Sequence, residues 1–203
     1  ILDTTIADYN MIMQRGQALI QLTNANVDVA LHFAIVRYTR EASHQNFVEL
    51  LALARECFKR EFGVYPYNTQ MITIMLLSND QLRLKSDGTI AKGIYAQIKT
   101  GEGKSLILSL LAAIQGVRGH RVDIITSNNY LAKRDALRFK RFYDRFQVSC
   151  ADFKFEGSSL PSGGGAQIVY STNHDMVFGY LACQLNGSPF FGNKRFDTAL
   201  IDE

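Results

Sequence analysis

Seven consecutive residues, Lys99-Thr100-Gly101-Glu102-Gly103-Lys104-Ser105, have the types and spacing to hold a chain of phosphates. Glycines at alternate positions let backbone N–H groups turn inward around an anion, and a helix starting just after them adds the positive end of its dipole. Lys104 is placed to reach terminal phosphates as a mobile point charge. The Ser105 hydroxyl is placed to join the coordination shell of a magnesium ion. The general form G-x-x-x-x-G-K-[ST] wants glycine where this chain has Ile98, so the loop points to a subset of phosphate binders. A strand-to-helix turn with an incidental Lys-Ser would have to explain four coincident features: an apolar run before, Gly-x-Gly, Lys-Ser, and an apolar helical pattern after.

Phosphate chemistry also needs an acid for the metal and a group to orient the attacking water. Asp202 and Glu203 supply both, directly after the apolar run Ala199-Leu200-Ile201 and about a hundred residues beyond Lys104. Asp202 is the candidate magnesium ligand, and Glu203 the candidate catalytic base beside Lys104. The sequence stops at Glu203, and whatever normally follows these acids is expected to be missing.

The elements that must position these groups are legible from periodicity. From Thr4 to about Phe62 apolar residues recur at three- and four-residue steps, as in Phe47, Leu50, Leu51, Ala54 and Phe58, which predicts a helical segment over residues 1–62. Gly63 and Pro66 punctuate, Met71 to Leu77 is a short apolar run, and Lys85-Ser86-Asp87-Gly88 has the chemistry of a turn. Strands are expected at Ile94–Ile98, Val122–Thr126, Val148–Phe153, Gln167–Ser171 and Thr198–Ile201, with helices at Ser105–Val117, Leu131–Phe146 and Asp175–Leu185. The alternation predicts a nucleotide-binding domain over 63–203, incomplete at its end. It is an α/β fold of the P-loop, RecA-like kind, a mostly parallel sheet with helices on both faces. Such sheets bind ligands at the carboxyl ends of their strands. Glu156 to Gly165, rich in Ser and Gly, reads as an exposed loop.

Composition narrows the class. A chain of 203 residues with 47% hydrophobic residues is an ordinary globular protein, and a net charge of +3 gives weak support for a nucleic-acid or membrane partner. Cys57, Cys150 and Cys183 are odd in number and lack CxxC spacing, which argues against a disulfide framework or zinc site and for buried, inert thiols. No apolar run approaches the ~20 residues that span a bilayer. The expected location is cytoplasmic, peripheral to a membrane at most. His32, His44, His120 and His174 show no metal-site spacing, and Ser171, His174 and Asp175 lack the G-x-S-x-G turn of a hydrolase.

Four segments resemble the SecA protein-translocase ATPase family, in its first nucleotide-binding domain, a DEAD-like motor lobe. Leu53 to Gln70, with Arg55-Glu56, Lys59-Arg60 and Phe62-Gly63, resembles the lead-in to the family's Q motif. Gln97 to Leu106 resembles its phosphate loop, with Ile98 for Met and Ser105 for Thr. Ile125 to Asp135, Ile-Thr-Ser-Asn-Asn-Tyr-Leu-Ala-Lys-Arg-Asp, is similar to Val-Thr-Val-Asn-Asp-Tyr-Leu-Ala-x-Arg-Asp in the family, and Ala199 to Glu203 resembles the start of its Asp-Glu-Val-Asp motif. Before about Asn46 the match is poor. Asn129 stands where the family has Asp, and Val177-Phe178-Gly179-Tyr180-Leu181-Ala182-Cys183 replaces Gly-Phe-Asp-Tyr-Leu-Arg-Asp, which puts coupling to a protein channel in doubt.

The resemblance implies ATP or ADP with Mg2+ as ligands. Gln70 then contacts adenine, a role suited to a planar amide that donates and accepts at once, with Tyr67 and Val64 lining the base. Lys99, Thr100, Gly101, Glu102, Gly103, Lys104 and Ser105 hold phosphates; Ser105 and Asp202 hold the metal. It further implies a preprotein substrate, a membrane protein channel, and a second motor lobe absent from this chain. Without that lobe's arginines, worth ~10³ or more in rate, the fragment is expected to have little or no ATPase activity. A helicase-like motor is the alternative, resting on Lys133, Arg134, Arg138, Lys140, Arg141 and Arg145 interleaved with Phe139, Phe142 and Tyr143. The same pattern fits a helix with a buried aromatic stripe and a solvated basic face. A third reading is a non-catalytic interaction module that keeps the fold.

Overall fold

The computed structural model describes residues 2–78, 93–156, 165–188 and 196–202. Among them are seven helices and four strands, in two compact units, Ile1–Leu111 and Ala112–Glu203.

The first unit is built around α3 (His44–Phe62), which packs against α1 (Leu2–Leu19) and α2 (Asn24–Arg40). Leu50, Leu51, Leu53, Ala54, Cys57 and Phe58 are buried along it, the helical spacing expected of this third of the sequence. Thr23 and Ser43 cap α2 and α3, their hydroxyls accepting the N–H of Asn26 and Asn46. Gly63 ends α3 at φ 77°, a left-handed conformation that glycine adopts without penalty. The run Met71–Leu77 is helical, the body of α4 (Asn68–Leu77), which buries Met71, Ile74 and Met75 and packs on α1. α5 spans Lys104–Val117.

In the second unit β1 (Val122–Thr126), β2 (Cys150–Asp152), β3 (Ile168–Thr172) and β4 (Thr198–Ile201) form a wholly parallel sheet in the order β2-β3-β1-β4. Successive strand residues face opposite sides, and β3 shows what covers each. Tyr170 meets α6 (Asn129–Arg145) through a hydroxyl-to-hydroxyl bond of 2.7 Å with Tyr143. Val169 packs with Cys183 and Met176 of α7 (Asn173–Leu185). Helices therefore lie on both faces, as expected of an α/β parallel sheet. At the opening of β1, Arg121 and Asp123 form a buried pair at 2.8 Å. Burial pushes the Asp123 carboxyl above its usual range against the pull of Arg121. The Arg121 N–H donates to Asp197 at 2.9 Å, which ties β4 to β1.

Strand boundaries differ from expectation mainly in length, and one strand is not formed. The expected strand Val148–Phe153 shortens to Cys150–Asp152, and α7 begins two residues early because Thr172 caps it. Residues 93–99 carry no strand. A strand exists only through its ladder, and Ile94–Ile98 has no ladder partner among the described residues. The expected turn at Lys85–Gly88 and most of the loop Glu156–Gly165 lie outside the described residues. Burial pushes the Cys150 thiol up to about 12, and Cys57 and Cys183 are buried, none of the three being in a disulfide, in keeping with inert thiols.

The Tyr143–Tyr170 pair fastens α6 to the sheet. Removing either hydroxyl strands the other in the core; removing both leaves no orphan. Tyr143→Phe or Tyr170→Phe alone is expected to lower stability by about 1–3 kcal/mol, while the double substitution costs less than the sum of the singles, as read by urea denaturation of all four chains.

Candidate functional site

The path to the phosphate loop begins at the end of α3. Glu56, almost wholly buried, accepts hydrogen bonds from Arg60 Nε at 2.7 Å and from the Tyr65 hydroxyl at 2.9 Å. The Arg55 guanidinium lies 4.1 Å from the Tyr65 ring centroid, and Lys59 Nζ donates to the Gly63 carbonyl. Burial beside Glu56 pushes the Tyr65 hydroxyl above its ordinary range. Arg60 also reaches the carbonyls of Leu19 and Leu22 and the side chain of Asn24, closing the α1–α2 turn onto α3. These contacts set the corner between α3 and α4, and so the direction of the first turn of α4.

Gln70 sits in that turn and is 2% exposed. Its Oε1 accepts the Tyr67 N–H at 2.9 Å, and its Nε2 donates to the Glu102 carbonyl at 2.7 Å. One amide thus closes the start of α4 and grips the phosphate loop. A surface amide is excluded. The sequence singles out Gln70 for a ligand; it does not disclose this internal bridge, whose only sign is a glutamine three residues into a helix, where side chains reach back to the cap. Tyr67 and Val64 are exposed by 69% and 55%, open to a ligand at the same corner.

The loop itself follows from its glycines. Gly101 and Gly103 have φ of 88° and 75°, a region costly to residues with a Cβ. The Glu102 N–H donates to the Lys99 carbonyl, and the Gly103 carbonyl accepts from Leu106 and Ile107 as α5 begins at Lys104. The two glycines differ in their surroundings. A Cβ on Gly101 would meet nothing within 4 Å, whereas one on Gly103 would lie 2.5 Å from Gln70 Nε2. Lys99, Thr100, Gly101 and Glu102 are exposed; Lys104 and Ser105 are half-buried in the first turn of α5. The expected strand before the loop is absent, so Gln70 is what anchors it from the side.

Asp202 belongs to the second unit. Its N–H donates to the Ile125 carbonyl at 2.8 Å, extending the β1–β4 ladder by one step. Glu203 lies outside the described residues. Arg134 makes a bidentate pair with the buried Asp135, at 2.8 and 3.0 Å. The hydrogen bond and charge of Asp135 raise the guanidinium pKa further, and Asp202 adds to that field. On α6, Phe139, Phe142 and Tyr143 are fully buried while Lys133, Arg138, Lys140 and Arg141 are exposed. The aromatic rings are therefore unavailable to stack on bases. Among the described residues no three His, Cys, Asp or Glu gather as a metal cluster, and no helix is long and apolar enough to cross a membrane.

The glycine geometry separates two substitutions that look alike in sequence. Gly101→Ala is expected to cost the left-handed penalty of about 1–2 kcal/mol. Gly103→Ala carries the same penalty and also drives a methyl group into the Gln70 amide, for a further ~1–3 kcal/mol. Denaturant unfolding of the two chains checks the order; equal losses would mean that Gln70 does not hold the loop.

The model of the SecA DEAD-like domain family matches residues 3–203, and so reaches well before Asn46, where the motif resemblance fades. Among curated relatives, the protein translocase subunit SecA of Wolbachia sp. subsp. Brugia malayi is 31% identical over 77% of this chain, and that of Ehrlichia canis is 32% identical over the same share. The chloroplastic subunit of Ostreococcus lucimarinus is 28% identical over 80% of the chain. The chain spans only 16–17% of the length of these relatives. With a family model that runs almost from end to end, and with the loop geometry described above, the chain belongs to the SecA DEAD-like domain family.

Proposed function

We propose that this chain is the ATP-binding lobe of a SecA-like motor that moves unfolded polypeptide across or into a membrane. The observation that carries the reading is the loop Lys99–Ser105. Two left-handed glycines turn it at the head of a 14-residue helix, and a buried glutamine grips its carbonyl. The residues present fit a magnesium nucleotide. The face of Gly101 is open, as a phosphate cradle requires. Ser105 and Asp202 offer hard oxygen ligands of the kind that Mg2+ takes alongside phosphates.

In this reading Lys104 neutralises the terminal phosphates and Lys99, Thr100, Gly101, Glu102 and Gly103 present the loop's backbone to them. Ser105 and Asp202 hold the metal. Glu203 orients the attacking water, and Tyr67 and Val64 flank the adenine. Gln70 holds the loop through its bonds to Tyr67 and Glu102 and, almost wholly enclosed, meets the adenine edge with the donor and acceptor capacity that those bonds leave. The nucleotide-binding domain runs over 63–203, preceded by the helical segment 1–62. A second lobe, a preprotein and a membrane channel belong to the complete machine, and by itself the chain hydrolyses ATP slowly or not at all, for want of the opposing arginines. Its place is in the cytoplasm, at the membrane surface when engaged.

Calorimetric titration with Mg-ADP and Mg-GDP tests the assignment. Lys104→Ala is expected to weaken ADP binding at least tenfold, about 1.4 kcal/mol. Gln70→Glu keeps the acceptor for the Tyr67 N–H but loses the donor to Glu102. If the loop bridge dominates, it weakens ADP and GDP alike; if the adenine contact dominates, it erases the preference for ADP. No binding by the folded parent chain would defeat the reading.

A further inference from the structure

The net positive charge of the chain is concentrated in one helix. α6 carries six of the 22 basic residues and two of the 19 acids, a net +4 where the whole chain is +3. The remainder is therefore slightly acidic. A solvated helix face ordinarily mixes the two signs. Packing does not call for cations here, because α6 turns Phe139, Phe142 and Tyr143 inward and buries them.

The outer face has an order that solvation alone does not require. Tyr130 and Leu137, exposed by 76% and 62%, stand two turns apart and make a short apolar seam. Lys133 and Lys140 flank the seam on one side, and Arg134, Arg138 and Arg141 on the other, all five exposed. These cations fall within about 12 Å of helix axis. Asp135 holds the Arg134 guanidinium at 2.8 Å, and that of Arg138 lies over the Phe139 ring. Asp144, the exposed acid of the helix, ends the seam two turns beyond Leu137.

We propose that this face docks an acidic amphipathic helix of a partner polypeptide. The apolar residues of that helix meet Tyr130 and Leu137, and its carboxylates meet the lysine and arginine flanks. Charged positions beside an apolar seam select partner helices in this way. A phosphodiester backbone would satisfy the cations but leave the seam uncovered, and the rings that could stack on bases are buried. A bilayer surface takes up the whole apolar stripe of a helix, and α6 spends its stripe on the sheet. None of these side chains has a role in nucleotide binding, so the proposal stands independently of it.

Fluorescence anisotropy of a labelled peptide at physiological ionic strength tests the surface. The probe is three repeats of Glu-Leu-Ala-Glu-Leu-Ala-Glu, which sets leucines at three- and four-residue steps between carboxylates. A control peptide has the same composition in an order without that stripe. The striped peptide is expected to bind about tenfold more tightly than the control. Lys133→Glu combined with Lys140→Glu is expected to weaken it by about tenfold or more, and Leu137→Ser to remove its advantage over the control. All three positions are exposed, and urea denaturation checks that the variants fold. Equal affinity for the two peptides would reduce the face to a general polyanion patch and overturn the proposal. Tighter binding to a short DNA duplex or to phosphatidylglycerol vesicles than to the striped peptide would assign the face to that partner and overturn it as well. So would no binding, or binding indifferent to the substitutions.

Discussion

The hydrogen bond from Gln70 Nε2 to the Glu102 carbonyl, at 2.7 Å, is the constraint on which the phosphate loop depends. A loop of exposed, glycine-rich backbone has little to hold it, and its conformational entropy favours many shapes. Here a nearly inaccessible amide fixes one carbonyl from the side. The dipole of α5 and the left-handed turns at Gly101 and Gly103 can then act on a defined geometry. The requirement runs backward along the chain. Gln70 is placed by the first turn of α4, that turn by the corner at Tyr65, and the corner by Glu56, Arg60 and Arg55 at the end of α3. A helix that looks like an appendage in sequence is thus part of the apparatus that shapes the loop.

This dependence explains which parts of the site were legible in the sequence. Lys104, Ser105 and the glycines announce themselves because phosphate binding needs those residue types at that spacing. The bridge made by Gln70 does not, because a glutamine at the third position of a helix serves equally as a cap, a surface group or a ligand contact. Only the position of Glu102, 32 residues on, decides among them. The central strands were legible for a related reason. Val122–Thr126 and Thr198–Ile201 are short apolar runs that form strands over those residues, bounded by glycine, polar caps or acids. Ile94–Ile98 has similar composition but no ladder partner among the described residues. Strand propensity describes a surface that fits a sheet, not a sheet.

The basic aromatic helix α6 shows the opposite case, in which one pattern supports two functions until burial chooses. Interleaved arginines and aromatics suit a nucleic-acid track if the rings are free and a sheet-packing helix if they are not. Phe139, Phe142 and Tyr143 are fully buried and Tyr143 bonds to Tyr170, so the rings are spent on the core. Their burial also holds both phenols well above the ordinary tyrosine range, so they remain neutral hydrogen-bonding groups at any physiological pH.

The departures from the family pattern are conservative in the phosphate loop, Ile98 for Met and Ser105 for Thr, and change charge in the second unit. On α7, Val177, Phe178 and Leu181 are each close to half exposed, while Gly179 and Cys183 are buried. Gly179 and Cys183 both stand where the family pattern has Asp, and Cys183 packs on Val169. Phe178, Tyr180 and Leu181 match the pattern, so the changes outside the buried positions are Val177 for Gly and Ala182 for Arg. Asn129 likewise carries an amide where the family carries an acid, at the head of α6, and so removes the one negative charge that would have answered that helix's dipole. The acids of α7 give way to residues that fit the interior, and with Asn129 these changes leave the second unit with less negative charge. A carboxylate at position 183 would have to be desolvated against Val169 and Phe153, so the apolar contact of α7 with the sheet at this point depends on the departure itself.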